Sequence, residues 1–175
     1  KMIVVRPVAS SLIGAPIGED FWDDAPRHNR RILGDFAIGA KLITWKDFEK
    51  FETEYDGHRH ENYSPSTLSP VYKVTWHLAA KYCNFLSREE HLNELYSIVG
   101  HGAELRATLN QSRPGYRLPT ESEMEYVTRA GTLTARFFGE KEEYMDKYVY
   151  YQRNSANRSN VVGTLNPNDW GIFDS

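Results

Sequence analysis

A single cysteine, Cys83, stands in a chain of 175 residues, so no intrachain disulfide can form and no cysteine pair exists within it. Such sparse thiol usage assigns no compartment. No run of 18 apolar residues occurs, which excludes a membrane-spanning helix. Charge of one sign is also lacking. The 21 Lys and Arg against 24 Asp and Glu leave a net charge of −3, with no electrostatic ground for a nucleic-acid or anionic-membrane partner. Internal repeats and low-complexity tracts are absent, and the opening KMIVVRP lacks a signal-peptide pattern. It reads as the first strand of a domain cut from something longer.

What is present is a globular composition, 40% hydrophobic and 26% charged, of a length that suits one domain. Eleven Tyr and four Trp imply a core of amphipathic aromatics whose polar tips need hydrogen-bond partners. Acidic Glu19, Asp20, Asp23 and Asp24 run directly into basic Arg27, Arg30 and Arg31, the pattern of a solvated surface loop feeding an edge strand.

The apolar β-branched run Met2–Arg6 predicts a strand ended by Pro7, and SSLIGAP a second, ended by Gly14 and Pro16. Strands are expected at Arg30–Leu33 and Phe36–Leu42, separated by a Gly34-Asp35 turn. Trp45, Phe48, Phe51 and Tyr55 recur at helical spacing and predict a helix ending near Asp56-Gly57, with Thr44 and Asp47 as a weak capping box. VYKVTW reads as a short strand. The next helix is capped by Thr75, with Trp76, Ala79, Ala80, Cys83 and Leu86 on its apolar face and Tyr82 and Phe85 at its margins. The segment Leu92–Ser112 lacks clean caps and reads as an irregular insertion. A third helix should run from Glu121 to Ala130 and stop at Gly131. The remainder is turn-rich. Together these predict an α+β domain with long irregular loops and about three helices.

Several groups invite a chemical reading. His58 and His60, with Glu61 beside them, offer an H-x-H spacing for zinc or copper, but no further ligand follows at a suitable distance. A metal-dependent enzyme built on these three residues is the third-ranked functional reading. Cys83 sits among small apolar neighbours on its helix and reads as a buried hydrophobe rather than a nucleophile. The asparagines of NSANRSN and NPND suit calcium or, equally, turns. The stretch YRLPTESEMEYVTRAGT packs Glu121, Glu123 and Glu125 into five residues, between Arg117 and Arg129. Thr120 and Glu123 have capping-box spacing, and Glu125 stands four before Arg129, an intrahelical ion-pair spacing. No His or Cys lies within the stretch, so these glutamates read as starting and bracing a helix.

Five pieces in order, APRHNRRILGDFAIGAKLITWKDFEKF, VYKVTWHLAAKYCNFLS, GYRLPTESEMEYVTRAGT, ARFFGE and VVGTLNPNDWGIFD, resemble the formylglycine-generating enzyme/sulfatase-modifying-factor family. The third is similar to the family's strongest signature, with Met124 where Trp is usual, and the residues carrying it are Arg117, Thr120, Glu121, Glu123, Glu125 and Arg129. The arrangement is most like bacterial members that occur as modules of larger proteins. The resemblance implies a C-type-lectin-like α+β fold. Fully equipped members use copper and two cysteines to oxidise a sulfatase cysteine to formylglycine; others lack the cysteines and bind ligands or act as scaffolds.

This sequence departs from the pattern at its end. Ser175 stands where the family usually has Met, and the G-N-V-W-E-W and R-G-G-S-W segments, with the catalytic cysteines, are not present. Cys83 matches a structural cysteine, so no catalytic, cofactor or metal residue is carried over. Calcium ligands of the G-N segment are also missing, and a calcium site near Asn154 has no support from the match. The chain is therefore expected to be the N-terminal and central part of one such domain. Without the cysteine pair it would be a binding or scaffold module for an unidentified protein or small ligand. The alternative is the N-terminal part of a copper-dependent oxidase whose cysteines lie further on. Apolar helix faces left uncovered by a missing C-terminal part are expected to be exposed or covered by a partner segment.

Overall fold

The computed structural model describes residues 1–8, 11–14, 27–51, 59–100, 102–134 and 136–174. In chain order the elements are β1 (Met2–Val5), β2 (Ser11–Ile13), β3 (His28–Arg30), β4 (Phe36–Gly39), α1 (Trp45–Phe48), α2 (Trp76–Glu89), β5 (Tyr96–Val99), β6 (Arg106–Leu109) and α3 (Glu121–Arg129). Short 3-10 turns occupy Gly102–Glu104 and Glu142–Lys147. The strands form three antiparallel two-stranded ribbons, β1-β4, β2-β3 and β5-β6. The chain divides into two compact units. The first holds Lys1–Thr44, His60–Pro70 and Pro119–Ser175; the second holds Trp45–Arg59 and Val71–Leu118.

In the first unit the inward face of the β1-β4 ribbon meets α3. Buried Val5, Val127 and Ile172 form the cluster, with Ile3, Phe36, Ile38, Tyr126 and Trp170 packed around them. Antiparallel register pairs Ile3 with Ile38 and Val5 with Phe36, so period-two alternation sends these four side chains to one face. α3 starts where the sequence predicts, with Thr120 as N-cap. It ends at Arg129, and Ala130 adopts a left-handed conformation (φ 49°) before Gly131.

In the second unit α2 is N-capped by the Thr75 hydroxyl, which accepts from the Leu78 N–H. One side of α2 meets α1. Phe48, Phe51 and Tyr82 are buried together, with Phe85 against Phe51 at a ring separation of 5.3 Å. Its other side meets the β5-β6 ribbon through buried Ala80, Cys83 and Tyr96.

Several sequence expectations are corrected. The third strand is His28–Arg30 rather than Arg30–Leu33. It pairs with β2, Ser11 opposite Arg30 and Ile13 opposite His28. The strand expected over Phe36–Leu42 ends at Gly39. The first helix is one turn, Trp45–Phe48, and then tightens as the Phe51 N–H reaches the Phe48 carbonyl; its expected end near Asp56-Gly57 lies outside the described residues. VYKVTW forms no strand, because Lys73 turns left-handed at φ 58°. The apolar face assigned to α2 is buried at Ala80 and Cys83 and packs at Leu86, but the buried arc is wider and leaves out Trp76. Trp76 is half exposed, while Tyr82, Asn84 and Ser87 are buried. A helix gripped from two sides buries a wider arc than a single stripe.

The expected irregular insertion over Leu92–Ser112 contains the β5-β6 hairpin, with Tyr96 opposite Leu109 and Val99 opposite Arg106. Its signal is hidden because the stabilising partner is a helix side chain. Asn84 accepts from the Tyr96 N–H (3.0 Å) and donates to the Tyr96 carbonyl (2.7 Å), as a neighbouring strand would. Exposed apolar side chains do occur on the helices, at Trp76 and Met124, but more lie on strands and loops, among them Val4, Leu33, Val99 and Leu133.

Candidate functional site

The signature stretch crosses from the second unit to the first between Leu118 and Pro119. On the first-unit side, the Thr120 hydroxyl accepts from the Glu123 N–H (3.2 Å), and the Glu123 carboxylate accepts from the Thr120 N–H (2.9 Å). Each side chain thereby satisfies a backbone donor that the first helical turn would otherwise leave unpaired. Glu123 is 5% exposed, so this fastening is internal. Thr120→Ala removes the acceptor for the Glu123 N–H and is expected to lower stability by about 1 kcal/mol in chemical denaturation.

Glu125 and Arg129 form a brace. The Arg129 Nε donates to Glu125 Oε1 at 2.8 Å, while its two terminal nitrogens donate to the Thr134 and Gly14 carbonyls at 2.8 and 2.9 Å. The same Glu125 oxygen accepts from the Gly14 N–H. One guanidinium and one carboxylate thus fix two loops against α3. Glu121 lies exposed in the first turn of α3, where negative charge opposes the helix dipole favourably. Arg117, in the second unit, reaches the Leu118 carbonyl at 3.1 Å.

The asparagines also work internally. Asn168, 3% exposed, donates to the Val127 carbonyl at 2.7 Å and accepts from the Trp170 and Ile172 N–H groups, both at 3.1 Å. It locks the NPNDWG loop onto the end of α3. Asn154 accepts from the Tyr151 N–H (2.8 Å) and donates to Asp146 (3.2 Å) and the Val149 carbonyl (3.0 Å). Its carboxamide oxygen accepts from the backbone, as asparagine commonly does in a turn. Asn84 is not identified by motif, and Asn168 lies in the NPND stretch without its bridging role being legible there. The available signal is a polar amide inside an otherwise apolar helix face for Asn84, and one among Pro167, Trp170 and Ile172 for Asn168.

Of the histidine candidates, His58 lies outside the described residues, while the His60 ring packs against Tyr63 at 5.0 Å. Glu61 is exposed. Among the described residues no group of three His, Cys, Asp or Glu is placed to hold a metal.

Cys83 is 7% exposed, and burial pushes its thiol from 9.0 up to about 11. Neighbouring Tyr82 is pushed to about 12, first by burial and then by Asp47. At pH 8 the folded thiolate population is about 100-fold below that of an unfolded thiol, so modification by a disulfide reagent should slow by about that factor or more, and denaturant should restore it. Both folded values are raised, so the stability they contribute is intact below pH 9 and is lost as pH rises from 9 to about 12, where the unfolded chain ionises first. The one cysteine of the sequence is a buried thiol on α2, in contrast to the two-cysteine set with which the resemblance associates copper.

The fold defines the class first. Three solved structures superpose on nearly the whole chain. Variable protein 1 of Treponema denticola matches with TM-score 0.74 at 22% identity, over 98% of this chain and 68% of its own. PvdO from Pseudomonas aeruginosa gives 0.71 at 21%, over 99% and 66%, and CarF gives 0.62 at 19%, over 99% and 76%. The architecture is thus α+β, the C-type-lectin-like fold of sulfatase-modifying-factor domains. A family model described as the sulfatase-modifying factor enzyme 1-like domain matches residues 2–175, and the chain belongs to that family. The chaperone protein LppX of Paenibacillus barcinonensis is 27% identical over 171 aligned residues, covering 81% of this chain. The match spans 59% of that relative's length. No helix among the described residues is long and apolar enough to cross a membrane.

Proposed function

We propose that this chain is a binding or scaffold module of the sulfatase-modifying-factor family, without oxidase chemistry of its own, and part of a longer domain. The observation that carries the reading is the state of its sole cysteine: buried on α2, with the thiol pushed up to about 11. Formylglycine formation in the family requires two reactive cysteines, and Cys83 supplies neither a pair nor a thiolate at neutral pH. The relative named as a chaperone supports a role in holding another molecule. We further infer that Arg117, Thr120, Glu121, Glu123, Glu125 and Arg129 serve structure. This is supported by the capping box and the loop brace.

The test incubates the purified chain with copper(I), oxygen and a peptide containing Cys-x-Pro-x-Arg. The expected result is intact peptide by mass spectrometry. Conversion of the peptide cysteine to formylglycine by the 175-residue chain would overturn the proposal. The span of the LppX match, 59% of that relative, keeps the second reading in view: a longer parent that is the copper-dependent oxidase. Two cysteines in an R-G-G-S-W context beyond position 175 of the reading frame would support that parent activity.

A further inference from the structure

We draw no further inference here: the strongest candidate, the apolar patch on the second unit where half-exposed Trp76 of α2 meets Tyr96 edge-on and Tyr96 pairs with exposed Leu109 across the β5-β6 hairpin, carries nothing because nothing in the structure shows what covers it.

Discussion

Arg129→Ala is expected to lower the stability of the first unit by about 3 kcal/mol, measured by urea denaturation. The guanidinium makes three hydrogen bonds in three directions, to Glu125, Thr134 and Gly14, and its side chain is only 15% exposed. Truncation leaves two carbonyls without a donor and a carboxylate, itself 25% exposed, without its cation. Arg129→Lys keeps the charge but offers a point ammonium in place of a planar fork, so it should recover less than half of the loss. Glu125→Gln removes the charge while retaining an oxygen that can accept from Gly14 and Arg129, and should cost about 1 kcal/mol. A double-mutant cycle between positions 125 and 129 should show coupling of about 1 kcal/mol or more. Purely additive effects would mean the loops are held by other contacts.

Asn168→Ala should be as severe, about 3 kcal/mol, because one buried amide bonds the backbone of two segments at once. It donates to the C-terminal turn of α3 at Val127 and accepts from two successive turns of its own loop at Trp170 and Ile172. Ile172 belongs to the core cluster with Val5 and Val127, so releasing the loop also loosens the packing of β1 on α3. Asn168→Asp separates the two functions. A carboxylate still accepts from Trp170 and Ile172, but sets a negative oxygen against the Val127 carbonyl. The Asp variant should therefore be less stable than wild type at pH 7 and recover as pH falls, since the protonated acid can donate to Val127. A variant whose deficit is independent of pH would show that the loop repacks without this bond.

The capping box, α3 with its start, the cap of α2 and the approximate place of β1, β2 and β4 were all legible in the sequence. Each is set by residues within a few positions of one another. Thr120 and Glu123 lie three apart, and Thr75 caps the N–H of Leu78 three residues on. Helical periodicity and turn residues report such short-range physics directly. The family match was legible for the same reason, because its strongest signature is this locally determined stretch.

What only the tertiary structure decided is everything that rests on a distant partner. Strand β3 pairs with Ser11–Ile13, and the β5-β6 hairpin is anchored by Asn84, twelve residues from Tyr96. The Arg129 brace spans 115 residues to Gly14, and the Asn168 bridge spans 41 to Val127. A polar side chain reads the same in sequence whether it meets water or a buried carbonyl, since the difference lies in desolvation supplied by remote segments. So the sequence by itself determined the helix ends, the family and the poverty of thiols. Folding decided that Glu123, Glu125 and Asn168 fasten backbone segments and that Cys83 is shut away.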